Sequence, residues 1–479
     1  MTTRSSHDPS LASHQHSLLE CPFPPTDKFF DSRALDTTTM RKIERVELLA
    51  PCRNWKSLKA AEQHADGIYF GTHVLNLRQM ADNFEIGELP DVARYCHERN
   101  MKAYLTVNSI VYDNELDVLD GIMESAKAAE MDAVIVHDLA SVEAARNAGI
   151  AFHMSTQANI SNTRAARFYE KLGAQRLILA RELSLERIKA IVQAMNTANI
   201  EVFVHGAMCT AISGRCYLSL ECMGTDASSG NRGTCAQPCR RRWRVIDEEN
   251  NEMLYTGDMF LSSKDLCMIE HVPKLIDANI AAFKIEGRMR DPFYVETVVR
   301  CYKEAIISHY EGSFTYEKVK GWLADMGKVF NRGFTTGFYF GRPTDVDIEH
   351  HVRGSVSHYR QIEIGIVNDY LSKSQAAKII LTNGRLRIGD EVFFIGQGSK
   401  TYFHMKIEPG NMRVQGKDVT ETPVADSKNH VLVSIKTTQP VKKNDHVSVF
   451  TDETYNNFLM GKKGKDRYQR RGDDDHACE

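Results

Sequence analysis

No run of about 18 apolar residues occurs anywhere in this sequence, so nothing in it reads as a helix that crosses a bilayer. The first forty residues lack an apolar stretch set between basic residues and a cleavage site, so no secretory signal is legible. A cytoplasmic location is the expectation. A strong field of either sign is missing too, since 60 Lys and Arg against 63 Asp and Glu give a formal net charge of −3. Any RNA contact therefore has to come from a local patch. HExxH and GxSxG are absent, so neither a zincin helix nor a nucleophile elbow is on offer.

What is there is an ordinary globular composition, 42% hydrophobic and 26% charged over 479 residues, long enough for two domains. Residues 1–42, rich in Ser, Thr, His, Asp and Pro and without apolar period, read as a disordered leader. From Val46 short apolar runs recur, with amphipathic helical stretches between them. They are VELLAP (46–51), GIYFG (67–71), KAYLTVN (102–108), AVIVHD (133–138), AFHMSTQA (151–158), RLILAREL (176–183), EVFVHGAMC (201–209) and AAFKIEG (281–287). Eight strands apolar on both faces, alternating with helices, predict a (β/α)₈ TIM-like barrel over 43–345. A long Cys-rich insertion, 209–245, interrupts the last repeat. Beyond it the period changes to two, with NG and GD turns, which predicts a small all-β barrel over 355–452. The basic and acidic segment 460–479 reads as a disordered tail.

Eleven cysteines in a reduced compartment point to metal binding or burial rather than disulfides. Five of them, Cys209, Cys216, Cys222, Cys235 and Cys239, crowd the insertion. Thiolates at a strand end and on a Gly-rich loop can converge on one soft metal centre. Structural zinc usually takes two close CxxC pairs, whereas the intervals here, six and three residues, suit an iron-sulfur cluster somewhat better. Zinc and plain burial stay open at this point. For Cys52, Cys96, Cys267 and Cys301, burial as small hydrophobes is the preferred reading.

A barrel of this kind works at the C-terminal ends of its strands, which makes Arg181, Glu182, His205, Lys284, Glu286 and Arg288 candidate catalytic residues. Period two points Lys284, Glu286 and Arg288 to one side of their strand. Three inward charges need partners or an anionic ligand. The bland alternative is an ion pair of Lys284 and Glu286 with Arg181 or Glu182, and a satisfied core histidine at 205. The run Arg240, Arg241, Arg242, Trp243, Arg244 suits phosphate contact with base stacking on the indole, although such runs are commonly solvated faces.

At HGAMCTAISGRCYLS, NRGTCAQPCR, SSKDL and FKIEGRMRDPFYV the sequence resembles the peptidase U32 family, the collagenase-like proteins, over about residues 45–310. The resemblance implies a barrel catalytic domain, a 4Fe-4S cluster on Cys209, Cys216, Cys235 and Cys239, and a C-terminal barrel like those of translation factors. Members nearest this layout include prephenate-dependent tRNA uridine 5-hydroxylases acting at the wobble position. Others hydroxylate ribosomal RNA or a quinone. The implied expectation is an enzyme whose partners are tRNA and a small carboxylate co-substrate, held by Lys284, Arg288 and Arg181. Self-association or pairing with a second chain stays open, as does a literal peptidase. One departure stands near the start: members carry Pro-Ala-Gly after the first strand, where this chain reads Pro51, Cys52, Arg53.

Overall fold

The computed structural model describes residues 42–452 except 256 and 258. The leader and tail readings lie outside these residues. Ten strands in one sheet come first: β1 (Glu47–Pro51), β2 (Gly67–Gly71), β3 (Lys102–Val107), β4 (Ala133–Val136), β5 (Phe152–Met154), β6 (Arg176–Ile178), β7 (Asn199–Ala207), β8 (Asp265–Cys267), β9 (Ala282–Ile285) and β10 (Phe334–Thr335). β1 to β7 run parallel, each beside the next; β9 pairs in parallel with both β7 and β1 and closes a ring of eight. The eight runs of the sequence are these eight strands. They were readable because both faces are apolar: the β2 and β4 strands are buried from end to end.

β5 and β6 are shorter than their apolar runs. After Met154 the chain turns into a 3₁₀ helix at Thr156–Ala158, so Ser155 to Ala158 leave the sheet. β8, inside the long insertion, lies antiparallel on the far half of β7 and carries β10 on its outer side. With three residues and a charged start it has no period to detect.

Most helices of the ring are capped in the expected way. Asn54, Asp138, Asn162, Ser184 and Asp291 each accept a backbone N–H of the first turn of the helix that follows. The Asn54 cap answers the departure at Pro51–Arg53. Its side chain takes the Ser57 N–H at 3.0 Å, and none of residues 51–54 has a positive φ, so this turn does not require the absent glycine. Cys52, fully buried behind it, is a packing residue.

A second apolar core, centred on Ile364, Phe394, Val433 and Val447, belongs to an eight-stranded antiparallel sheet. Its strands are β11 (Arg360–Leu371), β12 (Ala376–Leu381), β13 (Glu391–Ile395), β14 (Tyr402–Lys406), β15 (Met412–Val414), β16 (Lys417–Asp418), β17 (Val431–Lys436) and β18 (His446–Thr451). The ladder runs β14-β13-β18-β11-β12-β17-β15-β16, and its two end strands are not paired to each other among the described residues. The sheet rests on the helices Trp55–Ala61 and Pro292–Tyr310 of the barrel. Phe293 packs edge-on against Phe393 and Phe450, with ring centroids 4.8 and 4.7 Å away, and Lys400 stands 3.3 Å over the Trp55 ring. His404 bridges the two parts, its Nε2 2.9 Å from Glu296 and its Nδ1 2.8 Å from Glu391.

Candidate active site at the mouth of the barrel

Alternation along the strands turns a ring of charges into the lumen. Arg176 donates to Glu47 at 2.6 Å and to Glu201 at 3.2 Å, and Lys284 Nζ donates to the other oxygen of Glu201 at 2.8 Å. Two cations and two carboxylates balance, as burial demands. Beside them His153 is neutral: burial first, then Arg176 and Lys284, hold it well below the ordinary imidazole range. Its Nδ1 has no partner.

One layer higher the balance fails. Arg78 from the loop after β2, Arg181 from the end of β6, and Arg288 from the end of β9 surround the single carboxylate of Glu286. Arg78 lies 3.3 Å from it and Arg181 4.0 Å. Burial works to raise the Glu286 carboxyl, but Arg78, Arg181 and Arg288 together hold it below its usual value. Arg288 is 3% exposed, donates to Thr106 Oγ1 at 2.8 Å, and has no carboxylate partner among the described residues. Burial, then Arg78, pulls its guanidinium down to about 10. The Nε of Arg181 is buried without an acceptor. Arg78 and Arg288, with Lys284, Glu286 and Tyr69, line a small cavity of about 30 Å³, while Arg181 borders a neighbouring void with Phe203 and Tyr339, so the guanidiniums around Glu286 outnumber its one carboxylate. Buried donors of this kind call for an anion.

The cysteine insertion covers that mouth, fastened to three of its loops. Arg232 pairs with Glu115, reaching one of its oxygens at 3.0 Å, and also meets the Ile110 carbonyl. Gln79 N–H donates to the Gly233 carbonyl at 3.2 Å, and Asn159 Nδ2 to that of Ser213 at 3.3 Å. Gly233, at φ +95°, sits so close to Asn76 that a Cβ would collide with the Asn76 carbonyl. Arg240 ties the far end down through Met208 and Ser263.

Of the four expected thiols, Cys209 and Cys235 are exposed and Cys216 and Cys239 part-buried on the insertion. Burial pushes the Cys239 thiol up; Arg240 pulls it back, and Cys209, Cys235 and Cys216 push it further. Gly230 packs against both Cys216 and Cys235. The Gln237 N–H donates to Cys235 Sγ at 3.3 Å. Yet no three His, Cys, Asp or Glu residues among those described stand close enough for a single ion. Four soft thiols on one insertion, with an amide aimed at one sulfur, have the donor chemistry that an iron-sulfur cluster takes. Cys222 is exposed on the short helix Leu218–Met223, and Cys52, Cys96, Cys267 and Cys301 are buried packing residues. Cys209 acts on Arg78, whose guanidinium is held above its ordinary value by Glu286 and by this thiol.

Of the candidates from sequence, Lys284, Glu286 and Arg288 line one cavity; Arg181 borders it and lies 4.0 Å from Glu286, as the ion-pair alternative had it, while Lys284 pairs with Glu201. Glu182 is half-buried outside the pocket. His205 is not in the lumen at all: the β7–β9 register slips by one residue between Phe203 and His205, and this bulge at Val204 reverses the alternation. The imidazole lies instead against Tyr294, Tyr302 and Phe334, and burial pushes it down to about 3. The basic run is not a free comb either. Arg240 is spent on backbone carbonyls, Trp243 Nε1 on the Pro238 carbonyl at 3.0 Å, and Arg244 on Glu252 at 3.0 Å; Arg241 and Arg242 are exposed, Arg241 reaching Met223 Sδ at 3.7 Å. Missed altogether were Arg78, in a loop with no local signal, and Glu47, Arg176 and Glu201, which were legible as charges inside apolar strands.

The model of peptidase family U32 matches residues 53–349. The chain belongs to peptidase family U32. It is 40% identical over 414 residues to an uncharacterized protease of Methanocaldococcus jannaschii, spanning 84% of this chain and 97% of that one. A collagenase of Porphyromonas gingivalis is 39% identical over 74% of this chain and 87% of its own. A tRNA hydroxylation protein P1 of Bacillus subtilis is 33% identical over 75% and 86%. No helix among the described residues is long and apolar enough to cross a membrane.

Proposed function

We propose that this U32 protein is an RNA-modifying enzyme that hydroxylates the wobble uridine of tRNA without molecular oxygen, with a small polyanionic carboxylate of the prephenate kind as co-substrate. The observation that carries the reading is the excess of guanidiniums, Arg78, Arg181 and Arg288, over the one carboxylate of Glu286 at the mouth of the lumen. A carboxylate ligand supplies negative charge and acceptors for Arg288 and Arg78, the two guanidiniums that line the cavity. Cys209, Cys216, Cys235 and Cys239 would hold a 4Fe-4S cluster, which when bound supplies one-electron chemistry at the edge of the pocket. The chain's own part is to orient the acid between the guanidiniums and to exclude water under the insertion. The similarity to a tRNA hydroxylation protein supports RNA as substrate.

Peptide hydrolysis finds less support. A thiol protease needs a lowered thiol beside a basic imidazole. Here burial pushes the Cys267 thiol up to about 12, and the nearby His205 down to about 3.

The test is mass spectrometry of digested tRNA from a deletion strain. Loss of 5-hydroxyuridine derivatives, restored by the wild type and not by Cys209→Ala, is the expected result. Unchanged nucleosides refute the assignment.

A further inference from the structure

The anion pocket contains one group that anion binding does not use. Its floor is an amine, and Lys284 is the only lysine that lines it. An amine at the bottom of a closed anion site is poorly explained as one more positive charge, since its charge is already matched by Glu201 at 2.8 Å. Glu201 in turn is shared with Arg176, which takes its other oxygen at 3.2 Å. The carboxylate therefore holds the ammonium with only part of its charge. Burial first, and beyond it Arg176 and Arg288, pull the Lys284 ammonium below the ordinary lysine range against the opposing pull of Glu201. A desolvated lysine beside other cations is the arrangement that frees an amine to act as a nucleophile.

The neighbours fit such a use. The Lys284 amine stands 4.1 Å from the centre of the Tyr69 ring and the Arg288 guanidinium 5.9 Å from the same centre, so the two flank one ring. A carboxylate on Arg288 would direct the carbon attached to it toward Lys284. Tyr69 is itself fixed by donating to the Ile285 carbonyl at 2.7 Å, which keeps that wall of the pocket rigid.

We propose that Lys284 is a covalent catalytic residue whose amine condenses with the ketone of a 2-oxo acid seated on Arg288. The step balances within the site. Glu201 takes a proton from the ammonium, and the free amine adds to the carbonyl carbon. The carbinolamine then loses its hydroxyl as water, with the proton returned by Glu201, and the new C=N bond keeps the single positive charge. No oxidant or reductant is consumed. The iminium is an electron sink one bond from the carboxylate, so the co-substrate is activated where it is held. This deepens the proposed function, because it rests on reading the pocket as the co-substrate site, and it narrows that co-substrate to acids carrying a 2-oxo group.

The experiment needs no RNA. The cluster-loaded protein, prepared without oxygen, is mixed with pyruvate or with prephenate, treated with sodium borohydride, and followed by intact mass and peptide mapping. The expected result is one reduced adduct, mapped to the peptide of Lys284, absent from Lys284→Arg and several-fold weaker in Arg288→Gln. No adduct with either acid, or adducts confined to other lysines, overturns the proposal, and wild-type mapping decides this even if a variant folds poorly. The two readings fail separately: an adduct on Lys284 without tRNA hydroxylation leaves the imine standing and removes the proposed function, whereas tRNA hydroxylation by a protein that traps no acid removes the imine alone.

Discussion

Glu201→Gln is the sharpest probe of the lumen. The carboxylate is fully buried and serves Lys284 at 2.8 Å and Arg176 at 3.2 Å. Glutamine keeps the volume and one acceptor but leaves the Lys284 ammonium without its counter-charge in a buried site. Removing one partner of a buried pair destabilises by about 3–5 kcal/mol. Arg176 retains Glu47 at 2.6 Å, so the loss centres on Lys284 and belongs near the lower end, about 3 kcal/mol. The second half of the cycle is Lys284→Met. In the Glu201→Gln background it removes the stranded ammonium, and the double variant recovers about 2 kcal/mol relative to additivity. Urea unfolding of the four proteins, followed by circular dichroism, reads this as shifts of the midpoint. A loss below about 1 kcal/mol for Glu201→Gln, or strict additivity, refutes the picture of a charge-balanced floor.

The clasp between barrel and sheet should titrate. Burial opposes the charge on His404, but its hydrogen bonds to Glu296 and Glu391 hold it up to about 9. The folded value lies above the unfolded one, about 6.5, so the contribution is whole below that pH and is lost as pH rises through about 9, some ~3 kcal/mol in all. Melting curves across that window should fall for wild type and stay flatter for His404→Asn. Gly206→Ala should disrupt the end of β7, because φ is +103° and a Cβ would meet the Glu286 carbonyl; loss of soluble protein or of dicarboxylate binding checks it. Protein purified without oxygen should carry about four irons per chain, and Cys216→Ala should lose them while Cys222→Ala keeps them. Arg232→Met, which unfastens the insertion from Glu115, should raise protease cleavage between residues 209 and 245 at little change in the melting temperature.

The barrel was legible because its strands are largely apolar on both faces and most of its helices start at a capping residue. β8 was not, being three residues long inside an insertion whose order comes from contacts with distant loops. At the site, alternation placed Lys284, Glu286 and Arg288 on one side. The same rule failed one strand away, where a single extra residue, Val204, sends His205 outward. Arg78 could not be found from sequence, because it reaches the lumen from a loop held by Asn76 and Asn83 rather than from a strand. The thiols lie in between: their density marked the insertion, and the resemblance to the family's motifs, not their spacing, singled out Cys209, Cys216, Cys235 and Cys239.

The most direct test of the central claim joins purified parts. Protein prepared without oxygen, a tRNA lacking the wobble modification, and prephenate are combined, and the nucleosides are read by mass spectrometry. The account predicts 5-hydroxyuridine that disappears when prephenate is omitted, when Arg288 is replaced by Gln, or when Cys209 is replaced by Ala. Hydroxylation undiminished by all three omissions, or none at all from an iron-loaded protein, contradicts it.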